Sequence, residues 1–408
     1  MSESELRRSV VATHEQYHTP NYAPGLLLVK GEGTRVWDSE GKEYLDFVSG
    51  IAVNSLGHCH PELVKALEQQ SRRLMHCSNL FFNELAPFLA KEISDLSLGG
   101  KVLFCNSGAE ANEGLIKLAR KWGNETGRYE VITMKNSFHG RTLATLTATG
   151  QEKVQKGFTP LPDGFVYADY NDLDSVKEAA TPRTAAVMLE LVQAEGGVVP
   201  ADPDFVKGLA DWCAENNVLL LIDEIQTGIA RTGAMFAHEL YGITPDAFSL
   251  AKGLGGGFPI GAVVTGEKLR DVFSAGSHGT TFGGQPMACA AARTVLRVIR
   301  EGDLCRYARE MGELLREKLT PVVEKYPFAQ SLRGNGLLQG IVIDRPAKAL
   351  EQLLAERGLL TVCTAGNVIR MLPPLTVTSE EICEAAEIID RGCAAWSETI
   401  SASGEVNA

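Results

Sequence analysis

The 408 residues carry 39 basic and 51 acidic side chains, a formal net charge of −12, and 44% hydrophobic and 22% charged residues. That length suggests two or three domains with ample apolar material for a core, and the acidic balance argues against a nucleic-acid binder, which normally presents a basic face. The longest aliphatic run, 218–222, is far short of the ~20 residues of a membrane span. MSESELRRSV lacks the apolar stretch of a secretory signal, and nine scattered cysteines without a CxxC read as reduced thiols of a cytoplasmic protein.

Taken in chain order, the first ~20 residues read as a polar helix that Pro20 ends. Residues 26–50 alternate like a β-meander, with turns at 31–33 and 39–41. Residues 61–75 have helical periodicity, with Pro61 suited to the first turn. From about residue 100 the pattern changes. Short apolar runs at 101–105, 130–134, 185–189, 219–222, 247–250 and 260–265 read as strands, with helices over 108–122, 203–215 and 287–300. Such alternation predicts an α/β fold with a mostly parallel central sheet covered on both faces. Beyond Arg300, a long helix leads to strands near 337–343 and 359–371, flanked by helices at about 346–356 and 379–396. The predicted division is an N-terminal segment, 1–60, that joins the C-terminal part 301–398 in a smaller α+β domain. The large domain spans 61–300, and 399–408 reads as a disordered tail.

Several motifs can be weighed for chemistry. HEQYH, from His14 to His18, matches the HExxH zinc pattern, and a zinc peptidase is the reading it would support. Only 13 residues precede it, Pro20 follows at once, and no third ligand stands in register. A surface or dimer-contact helix is the better reading, and no metal is expected. GHCHP, His58 to Pro61, reads as a capped turn. No GxxxxGK[ST], no GxGxxG after a strand and no GxSxG occurs.

NSGAEAN, Asn106 to Asn112, runs from a strand into a helix, with Ser107 and Glu110 spaced as a capping box. Ser107, Gly108 and Ala109 leave that helix start sterically open, so its N–H groups and dipole suit a phosphate. NSFHGRT places Phe138 and Arg141 in a loop after a strand, a setting for a flat ligand and a carboxylate. VLLLIDEIQTG ends an apolar strand on Asp223, which needs a cationic partner there. SLAKGLGGGF ends another on Lys252, and a desolvated lysine is a nucleophile toward carbonyls. Each motif alone has an ordinary structural explanation. Together they are what pyridoxal phosphate requires, with Lys252 as the Schiff-base lysine and Asp223 holding the pyridine nitrogen protonated.

With these motifs the sequence resembles the class III pyridoxal-phosphate-dependent aminotransferases of fold type I, from about Pro24 to Arg391. The resemblance rests on GEGTRVWDSEGKEYLDFVSGIAVNSLGHCHP, FCNSGAEANE, SFHGRTLATLTATGQ, LLIDEIQTGIARTG, AKGLGGGFPIGAV, GTTFGGQPMACAAA and IRMLPPL. It leans to the branch that acts on N-acetylornithine and 2-oxoglutarate in arginine biosynthesis. N-succinylornithine, succinyldiaminopimelate, ornithine and 4-aminobutyrate are the other donors used by similar enzymes. Carried over by motif, the resemblance implies that Lys252 and Asp223 are catalytic. Ser107, Gly108 and Ala109 would hold the cofactor phosphate, Phe138 would stack on the ring, and Gln226 would reach its hydroxyl. Thr281 would reach the cofactor of a second subunit, making a homodimer with shared sites. Arg141 would take the donor carboxylate, Thr280 would lie near the acyl end, and Arg370 would bind the dicarboxylate, gated by Glu195. The sequence departs from the family's usual residues at Leu191, Ala194, Ala230 and Thr280.

Overall fold

The computed structural model describes residues 3–402. Its centre is a seven-stranded sheet: β1 Val102–Cys105, β2 Glu130–Met134, β3 Phe165–Ala168, β4 Thr184–Leu189, β5 Leu219–Asp223, β6 Ala247–Leu250 and β7 Gly261–Thr265, in the order β1-β7-β6-β5-β4-β2-β3. Strand β7 runs antiparallel to both β6 and β1. The other neighbouring pairs are parallel.

The sheet is mostly apolar because both its faces are covered. Ile132, Val187, Leu220, Ile222, Phe248 and Val264 point into one core, while Val131, Ala186, Leu219, Leu221, Ala247 and Val263 point into another. That is the period-2 alternation of a strand with two dry faces. Helix Gly108–Gly123 lies across β6 and β7 on the second face. It packs closely there because Gly114 has no side chain: a Cβ would stand 2.7 Å from a Val263 methyl carbon. Among the described residues no helix is long and apolar enough to cross a membrane.

The two chain ends meet in a second layer. Strands Leu28–Glu32, Arg35–Asp38 and Glu43–Asp46 form the meander, and Leu359–Leu360 pairs parallel with its third strand. A further antiparallel sheet joins Ala329–Asn335, Leu338–Ile343, Val368–Met371 and Val362–Thr364. The expected strand 359–371 is therefore three short strands in two sheets. The helix begun by Pro61 stops at Ser71, before the expected 75. The last helix, Ser379–Ala402, takes in 399–402 of the expected tail, because Ile389, Cys393 and Trp396 anchor it to the core. Residues 403–408 of that tail, like Met1 and Ser2, lie outside the described residues.

Candidate active site

A cavity of about 400 Å³ opens where β1, β4, β5 and β6 end. This is the carboxyl edge of a parallel sheet, where such folds bind ligands. Strand β1 feeds through Asn106 and Ser107 into helix Gly108–Gly123. Ser107 Oγ accepts the Glu110 N–H at 3.2 Å, as the capping box requires. The reciprocal bond is shifted by one residue, since Glu110 Oε2 accepts the N–H of Asn106 at 2.7 Å. Gly261 lets β7 press against this turn, where a Cβ would lie 2.5 Å from the Ser107 carbonyl oxygen. The first N–H groups of the helix have no intrahelical partner. Ser107, Gly108 and Ala109 line the cavity, so its wall carries an anion-ready helix start.

Asp223, the last residue of β5, is 4% exposed. Its Oδ2 accepts from Asn112 Nδ2 at 2.7 Å and from His139 Nδ1 at 2.8 Å. Its Oδ1 accepts from the Ile225 N–H at 3.0 Å. Asn112 is fixed in turn: Nδ2 also donates to the His139 carbonyl, and Oδ1 accepts from Ser249 Oγ at 2.7 Å. Because the aspartate oxygen can only accept, His139 carries its hydrogen on Nδ1. The carboxylate is thus held in one orientation at the cavity wall.

Lys252 lies one residue beyond Ala251 at the end of β6, with the backbone in the left-handed region at φ 43°. Burial holds its amine below the ordinary lysine range; Glu195 opposes that shift, Arg370 adds to it, and Asp223 and Glu190 oppose it more weakly. Phe138 and Arg141 also line the cavity, with the guanidinium carbon 5.5 Å from the ring centre.

Gln226 also lines the cavity and links it to an ion pair between buried Arg370 and half-buried Glu195. Arg370 is wholly buried, and its Nη1 donates to Glu195 at 2.7 Å and to Gln226 Oε1 at 3.1 Å. Its Nε and Nη2 are buried without a partner among the described residues. Burial pushes the Glu195 carboxyl up, but Arg370, with Lys252, brings it below the usual glutamate range.

Four of the sequence-derived site residues do not line this cavity: Glu195 and Arg370, joined to it through Gln226, and Thr280 and Thr281. Thr280 Oγ1 accepts from Asn106 Nδ2 at 3.2 Å, one contact away. Thr281 is exposed and lines a separate surface hollow with Asn79 and Asn83. The HEQYH segment runs from the helix Glu3–Tyr17 to the residue just past its end; His14 is half-buried, His18 is exposed, and their rings stack at 4.6 Å. Among the described residues no group of three His, Cys, Asp or Glu is placed to hold a metal. In GHCHP, His58 Nε2 bonds Asp46 at 2.7 Å, as a turn residue would.

Sequence reasoning passed over Asn112, His139, Ser249 and Glu190. His139 sits inside the motif NSFHGRT, so a signal for it was present. Asn112 and Ser249 reach Asp223 only through the packing of the helix on the sheet.

The donor set fits one kind of ligand: a flat ring with a cationic nitrogen for Asp223, an anionic group for the helix start, and a carbonyl for an amine. Residues 17–392 match the family model for class-III aminotransferases. The chain is a class-III aminotransferase. It uses pyridoxal phosphate, the cofactor of that family. This class-III aminotransferase is 52% identical over 369 residues to the acetylornithine aminotransferase of Caldanaerobacter subterraneus subsp. tengcongensis, covering 90% of this chain and 94% of the relative. It is 48% identical to that of Bacillus subtilis, with the same coverage. Among solved structures, an ornithine aminotransferase from Toxoplasma gondii ME49 superposes with a TM-score of 0.93 at 35% identity, covering 98% of this chain and 96% of that one. An acetylornithine aminotransferase from Elizabethkingia anophelis gives 0.84 at 37% identity, covering 95% and 99%.

Proposed function

We propose that the chain moves the δ-amino group of N-acetylornithine to 2-oxoglutarate, giving N-acetylglutamate semialdehyde and glutamate, as a step of arginine biosynthesis. The similarity to acetylornithine aminotransferases at 45–52% identity carries the choice of substrate. The two cationic positions, Arg141 at the cavity and Arg370 behind Gln226, support it, because donor and acceptor place their carboxylates differently.

In the resting cavity, Ser107, Gly108 and Ala109 would bind the cofactor phosphate, Phe138 would cover one ring face, and Gln226 would meet the ring hydroxyl. Asp223, oriented by Asn112 and His139, would keep the ring nitrogen protonated. Pyridoxal phosphate supplies an electron-accepting ring that stabilises negative charge on the carbon losing its proton. Lys252 would carry the cofactor at rest and, once released, take that proton from Cδ of the donor and return it on the cofactor side. Burial lowers its proton affinity, the direction a general base needs. Arg141 would hold the donor's distant carboxylate, and Thr280 would lie near the acyl end. With the donor in place, Glu195 neutralises Arg370, and when the dicarboxylate arrives Arg370 exchanges that partner for it.

The assembly we propose is a homodimer. Leu80, Phe81 and Phe82 are 85%, 70% and 100% exposed, and Phe282 is 55% exposed beside Thr281. An apolar patch of that kind marks an interface, and covering it with a second copy would bring Thr281 to the other subunit's cofactor. The cytoplasm is the setting we propose, since all nine cysteines are free.

One observation favours a second reading. The Toxoplasma ornithine aminotransferase superposes better than the Elizabethkingia acetylornithine enzyme, which keeps free ornithine in contention. Comparing kcat/KM for N-acetylornithine, N-succinylornithine, ornithine and 4-aminobutyrate, each with 2-oxoglutarate, decides between them. N-acetylornithine should lead; ornithine equalling it would move the assignment.

A further inference from the structure

Glu190 lies just past the end of β4 and lines the cavity while only 6% exposed. Nothing in its position identifies it as a ligand of substrate. What it does hold is backbone: Oε2 accepts the N–H of Phe138 at 3.0 Å. Its own carbonyl is fixed by the Tyr170 hydroxyl at 2.8 Å, so the residue is anchored from behind.

The loop carrying Phe138 is tied down by side chains on every side. Gln193 Nε2 donates to the Lys135 carbonyl at 2.9 Å, and Gln151 Nε2 donates to that of Ser137 at 2.8 Å. Thr149 Oγ1 accepts the His139 N–H at 2.9 Å. Asn136 sits in the left-handed region at φ 63°, so the loop needs those ties to keep its shape. At Phe138 the tie is Glu190. That bond fixes the backbone that carries the Phe138 ring, with the Arg141 guanidinium carbon 5.5 Å from the ring centre.

The charges around Glu190 are unusual for an ionised carboxylate. Asp223 and Glu195 are the carboxylates that act on it and Lys252 the cation, yet no cationic group among the described residues donates a hydrogen bond to it. Burial, with Asp223 as the next cause, raises its carboxyl well above the ordinary range. An acid in that state still has a carbonyl-type oxygen to accept an N–H.

We propose that Glu190 is a positioning residue for the aromatic face of the cofactor pocket, fixing Phe138 through the Phe138 N–H and needing no negative charge to do so. The inference rests on the pyridoxal phosphate reading and adds to it a residue that acts through Phe138 rather than on the reacting atoms.

The test compares Glu190→Met, which keeps the bulk and loses the acceptor, with Glu190→Gln, which keeps an amide oxygen to accept the same N–H. Apo-protein is titrated with pyridoxal phosphate, and uptake is followed by intrinsic fluorescence and by the visible circular-dichroism band, which reports how the ring is held. Glu190→Met should weaken uptake at least tenfold and shrink the band, and Glu190→Gln should recover most of both. Adding Glu190→Met to Phe138→Leu should cost no more than threefold beyond Phe138→Leu alone, since both act on one platform. A Glu190→Gln protein as impaired as Glu190→Met would show that the charge is needed and overturn the proposal. So would normal uptake by Glu190→Met, or losses that simply multiply in the double variant. Should Glu190→Met not fold, Glu190→Gln decides alone: a collapse of its band overturns the proposal. A parent protein that takes up no pyridoxal phosphate would instead defeat the cofactor reading beneath it.

Discussion

Replacing Arg370 with alanine should separate the two half-reactions. The guanidinium is wholly buried, spends Nη1 on Glu195 and Gln226, and keeps Nε and Nη2 unpartnered. A dicarboxylate that takes the place of Glu195 on Nη1 would make a charge-assisted bond worth ~1.5–3 kcal/mol. Removing one partner of such a buried pair costs roughly 3–5 kcal/mol. At about 1.4 kcal/mol per factor of ten, the acceptor half-reaction should slow by roughly two to three and a half factors of ten. The donor half-reaction does not need Arg370 to bind a substrate carboxylate. There Arg370 is already neutralised by Glu195, and without the arginine burial would push the Glu195 carboxyl up while Lys252 still draws it down. Its loss should stay below about fivefold, on the order of 1 kcal/mol. Single-turnover absorbance traces give each half separately, one started with N-acetylornithine and the other with 2-oxoglutarate on the aminated enzyme. Equal slowing of both would refute the division of labour between Arg141 and Arg370, and with it the role of Glu195 as a gate.

Other perturbations test the rest of the site. Lys252→Ala should abolish turnover in the steady-state assay while the protein still takes up cofactor non-covalently, and normal turnover would remove Lys252 from the chemistry. Covalent capture of cofactor by the apo-protein, followed against pH, should have its midpoint below the ~10.4 of an ordinary lysine, because burial lowers the Lys252 amine. Asp223→Asn should cut kcat by several factors of ten, each corresponding to ~1.4 kcal/mol of barrier, with little change in thermal stability; a loss under tenfold would place another group at the ring nitrogen. Glu195 is held below the ordinary glutamate range, so its unfolded form binds a proton more readily. Its contribution to stability is present at neutral pH and lost as pH falls through the lowered value. Glu195→Gln should therefore flatten the acid side of a melting-temperature profile, and an unchanged profile would count against the ion pair.

Much of this could be read from the sequence where local physics decides. The strands ending on Asp223 and Lys252 were legible because both sheet faces are dry, which forces continuous apolar runs. The helix start at Ser107 was legible from its capping pattern. The antiparallel direction of β7 was not, since an apolar run carries no sign of its neighbour's direction. Strand β3, FVYA, escaped notice because it is short and only partly buried at the sheet edge. Ala329–Asn335 was missed because its sequence, AQSLRGN, is mostly polar and lies in a sheet exposed in part. At the site, Asn112 and Ser249 lie inside legible motifs, but their contact with Asp223 arises only through tertiary packing. The changes at Leu191 and Ala194 have a plain structural setting: both are fully buried, and Ala194 packs in an apolar cluster with Val198 and Val368.

The central claim is that a nitrogen leaves the δ-carbon of N-acetylornithine and arrives on 2-oxoglutarate. Incubating the holoenzyme with N-acetylornithine labelled with nitrogen-15 at the δ-position, plus 2-oxoglutarate, and analysing the products by mass spectrometry measures that transfer directly. Glutamate should carry the label one for one with the semialdehyde formed, and substrate labelled at the α-nitrogen should yield unlabelled glutamate. Label released as ammonia, or transferred from the α-position, would contradict the account.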